Sequence, residues 1–429
     1  MKYLPINSQL FINNRERFVS KTKRNSLAVF NSNDIYNTGA DSTLPFTQHR
    51  DIFHLSGVDQ EESVLVIFPD CKNKLHREIL FLKETSEHIA VWEGEKLTKE
   101  RATELSGIKT IYWLDQFETI FRQLVIESES VYLNSNEHLR TSNSMETRED
   151  RFVKKFISDF PIHPTLRVAP IMHQIRSVKD SIEIEIMKKA CDITEKGFRR
   201  ILSFIKPEVM EYEIEAELMH EFLSNRSKGF AYTPIIASGK SACVLHYIEN
   251  NKSCKDGDII LMDFGAEYAN YASDLTRCVP VNGKFTSRQK EVYNSVLRVK
   301  NEATKLLNPG VFLNDYHKEV GKLMEEELLK LNLISSKDIQ NQDSKWPAYK
   351  KYFMHGTSHY IGLDTHDVGS WTEPIEENMV FTVEPGIYIP EEGIGIRLED
   401  DVVVQKNSAP KNLMENIPIE AEEIEDLMN

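Results

Sequence analysis

Cysteine is scarce in this chain. Its five residues, Cys71, Cys191, Cys243, Cys254 and Cys278, are scattered over 429 positions and never spaced as CxxC. That pattern excludes a disulfide framework and a thiolate metal site, and it predicts a reducing, cytoplasmic setting. Long apolar runs are missing too. No stretch approaches the ~18 apolar residues that span a bilayer, and the opening MKYLPINSQLFINNRERF lacks the apolar core of a signal peptide. Basic residues are the minority, 52 Lys and Arg against 67 Asp and Glu, for a net charge of −15. Such a chain is repelled by phosphate backbones and anionic lipid, so no nucleic acid and no membrane is expected as a partner. Repeats and low-complexity tracts are also absent.

What is present is a globular composition, 40% hydrophobic, in a chain too long for one small core. Residues 1–165 alternate short β-rich runs (26–30, 63–68, 77–82) with helical stretches, predicting a mixed α/β domain. Pro161 and Pro164, with Pro170 beyond, read as an extended connector, so a second domain is expected over 166–429. Asp180 followed by Glu183 makes a capping box, and Ile182, Ile186, Ala190 and Ile193 recur at helical spacing behind it. Further helices are predicted over 211–225, from the Thr286 and Gln289 cap to Asn308, and over 314–331.

Two segments set carboxylates side by side. In IILMDFGAEYANYASDLTRCVPV, residues 259–281, two β-prone runs flank a small polar stretch, as in a hairpin. A turn centred on Tyr268 and Ala269 puts Asp263 directly opposite Asp274, Cβ atoms roughly 5 Å apart. In VFTVEPGIYIPEEGIGIRLEDDVVV, residues 380–404, Pro390, Glu391, Glu392 and Gly393 supply explicit turn chemistry. Centring that turn on Glu391 and Glu392 pairs Glu384 with Glu399, Gly386 with Arg397 and Tyr388 with Gly395. It sends Ile387, Ile389, Ile394 and Ile396 to the other face. The isoleucines are expected in a core and the glutamates in a polar site, where the glycines leave room for a close approach. Either pair alone is readable as ordinary surface carboxylates; two such hairpins, far apart in sequence, point to a site. Buried carboxylates at this spacing need a counter-charge, or their pKa values rise.

A third segment, YFMHGTSHYIGLDTHDVG, residues 352–369, gathers His355, His359 and His366, three of the thirteen histidines. Histidines so concentrated suit metal ligation or proton transfer; His246, in ASGKSACVLHY, is a further candidate. Four carboxylates and an imidazole suit a hard or borderline divalent cation, manganese before a thiophilic ion. Their four negative charges match two such ions. A metal pair acidifies a bridging water and polarises a carbonyl, the apparatus for hydrolysing an amide or a phosphate ester.

The order Asp263, Asp274, His359, Glu384, Glu399, in the contexts MDFGAEYANYASDLTR, HGTSHYIGLDTHD, TVEPGIY and GIGIRLEDD, resembles the metallopeptidase family with the pita-bread fold. That family includes aminopeptidase P, prolidase and methionine aminopeptidase. The resemblance covers most of the chain and implies an α/β N-terminal domain followed by an α+β pita-bread catalytic domain. It implies that Asp274 and Glu399 bridge two divalent ions, that Asp263 chelates one, and that His359 and Glu384 complete the other. Glu384 would exchange a proton with hydroxide held between the metals. His246 and His366 would contact the substrate, His355 would line its pocket, and Arg397 would orient the catalytic groups.

HGTSHYIGLDTHD and the segment GADSTLPFTQHRDIFHLSG, residues 39–57, look most like the aminopeptidase P branch, which removes a first residue when proline is second. Prolidase, acting on Xaa-Pro dipeptides, is the alternative, and usually carries glycine where Ser358 stands. The implied cofactors are two divalent ions, manganese first, with zinc or cobalt as alternatives. The implied partners are peptides with proline at the second position and further copies of the chain, as a dimer or tetramer. In such an assembly the N-terminal domain borders a neighbour's active site through Asp41 and Trp92. The polar, lysine-rich residues 335–351 do not follow the family pattern and are expected to form a surface excursion.

Overall fold

The computed structural model describes residues 2–138, 140 and 145–429. The chain divides into two compact units, Tyr3–Arg176 and Ser177–Asn429. In the first, β1 (Ser26–Asn31), β2 (Val64–Ile67), β3 (Glu78–Leu82), β4 (Thr110–Trp113), β5 (Ser130–Leu133) and β6 (Thr165–Arg167) form one sheet in the order β4-β3-β2-β1-β5-β6. Around it lie α1 (Gln9–Val19), α2 (Arg50–Ser56), α3 (Glu87–Trp92), α4 (Lys99–Ser106), α5 (Phe117–Glu127), α6 (Arg148–Asp159) and α7 (Ala169–Ser177). The near-continuous apolar runs of β1 and β2 serve two cores at once. Ala28, Phe30, Leu65 and Ile67 face one core with Phe18, Ile52 and Met172. Leu27, Val29, Val64 and Val66 face the other with Phe121, Leu124 and Phe156. That is the two-residue alternation of a strand covered on both sides.

The expected connector is not one. Thr165–Arg167 is extended, as prolines nearby favour, but it is the edge strand β6, parallel to β5 through Val131↔Thr165 and Leu133↔Arg167. Met172 and Ile175 of α7 then join the first core. The first unit therefore runs to Arg176 and does not stop at residue 165.

The second unit opens with α8 (Ser181–Leu202), whose Asp180 and Glu183 form the expected capping box. Next come α9 (Glu211–Ser224), β7 (Gly229–Phe230), β8 (Ile235–Ser238), β9 (Ile259–Phe264), β10 (Ala266–Tyr268), β11 (Tyr271–Ala272) and β12 (Leu275–Pro280). Then follow α10 (Ser287–Leu306), capped by Thr286 and Gln289 as the spacing predicts, α11 (Leu313–Lys330) and α12 (Ser336–Gln340). The chain finishes with β13 (Val380–Val383), β14 (Gly386–Ile389), β15 (Ile394–Arg397), β16 (Asp400–Val403), β17 (Lys411–Asn412) and α13 (Ala421–Met428). Most of residues 335–351 is exposed, yet the excursion is anchored: the Tyr349 ring lies where a Cβ on Gly321 of α11 would stand, 2.6 Å away.

The two hairpins differ in how closely they follow expectation. In the second, Gly386↔Arg397, Ile387↔Ile396, Tyr388↔Gly395 and Ile389↔Ile394 pair as predicted, and the same register continues through Val383↔Asp400. The first is displaced by one residue. Its turn lies at Ala269 and Asn270, both with positive φ (54° and 68°), as a type I′ hairpin turn requires. Tyr268 then pairs with Tyr271, and Asp263 pairs with Thr276. Asp274 is not opposite Asp263; it lies two residues from that partner, a diagonal neighbour on the same face.

The crossing from β9 to β10 requires glycine, since a Cβ on Gly265 would stand 1.7 Å from the Ser273 carbonyl oxygen. Gly265→Ala should cost about 1–3 kcal/mol of stability. Gly39→Ala, where a Cβ would stand 3.9 Å from Ser42 Cβ, should be nearly neutral. Denaturant melts of the two variants test this; equal midpoints would contradict it.

Candidate active site

A row of side chains crosses four strand segments. Asp263 of β9 pairs with Thr276 of β12, and Thr276 in turn bridges Glu399, which precedes β16. Glu384, just after β13, holds the matching place across the second hairpin. The Thr276 hydroxyl donates to Glu399 Oε2 at 2.6 Å and accepts from Arg397 Nε at 3.1 Å. His359 enters from the loop after α12. Its Nδ1 faces the Tyr360 carbonyl oxygen at 3.0 Å, which leaves Nε2 turned to Asp274 Oδ2 and Glu384 Oε1, each at 3.6 Å. Asp274, His359 and Glu399 are all buried, and their ligand atoms lie within 4.8 Å of one another.

Asp263 is tied to this group by two side chains. Arg397 Nη2 donates to its Oδ2, and the Tyr232 hydroxyl lies in hydrogen-bonding contact with both Asp263 Oδ1 and Asp274 Oδ1. All five residues expected as ligands are thus gathered, although the first pair meets through a diagonal and a tyrosine rather than face to face. The glycines expected to admit a close approach do so, and the visitor to one of them is the chain itself. A Cβ on Gly395 would stand 2.1 Å from the Ala242 carbonyl oxygen, in the 3-10 turn Gly239–Cys243 that precedes His246.

The electrostatics are those of an anionic cluster short of positive charge. Burial, reinforced by Asp274, Glu384 and Asp263, holds Glu399 well above the usual carboxylate range. Burial raises Glu384 to about 7 against the pull of His359 and Arg397, and it raises Asp263 despite Arg397. Asp274 goes the other way: burial is outweighed by hydrogen bonding and charge from His359, and its pKa is lowered. Burial opposes charge on His359 as well, yet Asp274 and Glu384 win and its pKa rises. Four carboxylates and an imidazole that repel and protonate one another when left alone are a donor set that fits divalent cations.

The other expected residues differ in their placement. Arg397 Nη1 donates to the Tyr388 hydroxyl at 2.9 Å, and that hydroxyl lies 2.8 Å from His355 Nε2. His355 Nδ1 faces the Gly356 carbonyl at 2.7 Å. Burial lowers the His355 pKa to about 3, so the ring is neutral and Nε2 accepts from Tyr388. The His366 ring lies 4.0 Å from that of His359, on a loop pinned by the buried Lys179–Asp367 pair at 2.9 Å. His246 is exposed, and among the described residues it makes no hydrogen bond or ion pair with the ligand group. Tyr232 and Thr276 were not foreseen. Tyr232 lies between β7 and β8, outside both hairpins, and only the folded chain brings it to the aspartates. Thr276 was hidden by the displaced register.

Residues 185–406 match metallopeptidase family M24, and residues 11–132 match the aminopeptidase P N-terminal domain. The chain is 32% identical to the Xaa-Pro aminopeptidase of Haemophilus influenzae, covering 98% of this chain and 97% of that protein. It is likewise 32% identical to the Xaa-Pro aminopeptidase of Escherichia coli, over 99% and 98%. Among solved structures it is similar to Zn-substituted Escherichia coli aminopeptidase P in complex with product, with a TM-score of 0.89, 31% identity and 99% of each chain covered. It is also similar to Pseudomonas aeruginosa aminopeptidase PepP, with a TM-score of 0.90, 29% identity, and 100% and 99% covered. With its carboxylate and histidine cluster inside the matched region, this chain belongs to metallopeptidase family M24.

Proposed function

We propose that this chain is a metal-dependent aminopeptidase that hydrolyses the bond between an N-terminal residue and a penultimate proline. The observation that carries the reading is the convergence of Asp274, His359 and Glu399, with Asp263 and Glu384 beside them, in one buried cluster. The names of the two full-length bacterial relatives support the substrate class. Asp263, Asp274, His359, Glu384 and Glu399 would hold two divalent ions, manganese first because hard carboxylate oxygens dominate the donor set. When bound, such ions polarise a carbonyl and acidify water toward neutrality.

The chain's own groups do the rest. Glu384 lies 3.7 Å from His355 Nδ1 and keeps its carboxyl partly open, at 18% side-chain exposure. It is placed to take a proton from water and pass it to the leaving prolyl nitrogen. Neutral His355, with the Phe353 and Tyr388 rings at 4.9 and 5.5 Å, offers an aromatic wall suited to a pyrrolidine ring. His246 and His366 are assigned to the substrate backbone and the tetrahedral oxyanion. Arg397 fixes Asp263 and Tyr388 together. Unpaired cysteines support a cytoplasmic setting, and Trp92, 73% exposed on α3, supports assembly with further copies of the chain.

Metal-stripped protein given back manganese, zinc or cobalt in turn should cleave Xaa-Pro-Xaa peptides and spare Met-Ala-Xaa. Cleavage confined to Xaa-Pro dipeptides would overturn the reading. Asp274→Asn or Glu399→Gln should lose turnover together with the second metal in elemental analysis; full activity in either would refute the site. Tyr232→Phe removes the hydroxyl shared by Asp263 and Asp274 and should weaken metal affinity by about 10–100-fold, measured by calorimetry.

Metal uptake should also depend on pH. The raised carboxyls of Glu399, Asp263 and Glu384, the last with a pKa of about 7, hold protons in the metal-free cluster as pH falls. Protons therefore compete with metal below about pH 7, and affinity should rise with pH and then flatten. Titrations across that range, in buffers of different ionisation enthalpy, should show proton release on the acid side; a pH-independent affinity would contradict this.

A further inference from the structure

The first unit holds a cleft of about 660 Å³ at the carboxyl end of β1, lined by Asn31, Val64, Leu114, Phe117, Arg148 and Phe152 among others. Its floor is the Asn31↔Val64 pair, where the end of β1 meets the start of the antiparallel β2. Charge pairing around the cleft is uneven. Glu61 pairs with Lys96 and Glu62 with Lys83, each at 2.6 Å. Asp34 pairs with Arg151 at 2.7 Å, and Glu118 with Lys155 at 3.4 Å. Every charged lining residue is thereby matched except Arg148, which among the described residues makes no ion pair. The six undescribed residues are Met1, Leu139, Thr141, Ser142, Asn143 and Ser144, so their side chains bring no carboxylate.

Among the described residues the Arg148 side chain makes one hydrogen bond, Nη1 to Ser32 Oγ at 3.1 Å. Its chain neighbour Glu149 is committed elsewhere, both carboxylate oxygens accepting from Asn31, one from N and one from Nδ2, at 2.8 Å each. Burial pulls the Arg148 pKa below the usual arginine value and outweighs the more distant Glu62, Asp34 and Glu149 carboxyls, none of which forms an ion pair with it. A guanidinium drawn partly out of water with most of its donors unused bears a desolvation cost that a carboxylate would offset, in the bidentate geometry arginine favours. Beside it the cleft is apolar, with Ile35, Val64, Leu114, Phe117 and Phe152.

We propose that this cleft is a second ligand site, separate from the metal cluster, for an amphipathic organic carboxylate whose acid group is held by Arg148 and whose aryl or branched alkyl arm packs on Phe117 and Phe152. The same chemistry is carried by a free organic acid and by the C-terminus of a peptide ending in an apolar residue.

Calorimetry on the full chain with 3-phenylpropionate, with N-acetyl-Leu-Phe acid and with the corresponding amide tests the proposal and separates the sources. Tighter binding of the peptide acid than of phenylpropionate points to a chain terminus, and the reverse to a free acid; both support the site. The amide should bind at least tenfold more weakly than its acid. Arg148→Met should raise Kd at least tenfold and Arg148→Lys less, while Lys154→Ala, outside the lining, and Glu399→Gln should stay within twofold. If Arg148→Met shifts the thermal midpoint, Arg148→Lys is read in its place. No saturable binding of either acid, equal binding of acid and amide, binding indifferent to the Arg148 variants, or loss in Glu399→Gln would overturn the proposal.

Discussion

The buried guanidinium of Arg277 is the constraint on which the carboxylate and histidine cluster depends. Fully removed from solvent, it donates to the carbonyls of Thr276 (3.0 Å), Glu399 (2.7 Å) and Pro418 (2.9 Å), and pairs with Asp400 at 2.6 Å. Two of those carbonyls belong to adjacent members of the row that crosses the site, so one side chain fixes the spacing between β12 and the segment that carries Glu399 into β16. Lys300 and Asn412 contact the same Asp400 carboxylate, and its pKa stays low because the two cations outweigh burial. A buried charge set of this kind adds little net stability compared with a well-packed apolar core, but breaking one side of it costs roughly 3–5 kcal/mol. Its value here is positional: ligands on different strands are held by backbone carbonyls that cannot drift apart.

With the backbone set, the cluster sorts its acids. Asp274 and His359 exchange charge and stabilise each other, while Glu399 and Glu384 carry the repulsion. Arg397 passes the constraint on from Asp263 through Tyr388 to His355, which ties the geometry of the carboxylate cluster to the orientation of a neutral ring beside it. Thus the side of the site that faces charge and the side suited to an apolar ring share one hydrogen-bonded chain.

Much of this was legible in the sequence, and the failures have physical causes. The second hairpin declares its turn through Pro390 and Gly393, and its register follows. The first has no such marker: Ala269 adopts a positive φ that its residue type does not advertise, and the chosen centre missed by one residue. The site survived that error because a diagonal neighbour shares the face that a direct partner would have used. Capping boxes at Asp180 and Thr286 are local and were readable. The edge strand β6 was not, since proline favours extended backbone whether or not a neighbouring strand pairs with it. Tyr232 and Arg277 act across long sequence separations, where spacing carries no information.

The string Arg397, Leu398, Glu399, Asp400, Asp401, from the end of β15 into β16, shows how tightly two jobs are woven into one short segment. Its contacts alternate: Arg397 reaches Asp263, Glu399 reaches Thr276, and Asp401 accepts from the Asp274 amide, whereas Leu398 is in the core and Asp400 binds Arg277. Odd positions serve the ligands and even positions the scaffold. Carboxylates stand on both sides of that alternation, so composition alone does not distinguish them; parity does. Inserting one residue after Leu398 would leave every acid in the string while turning the scaffold's counter-ion toward the cluster and a cluster acid toward Arg277. The parity of this stretch therefore tolerates a substitution better than a change of length.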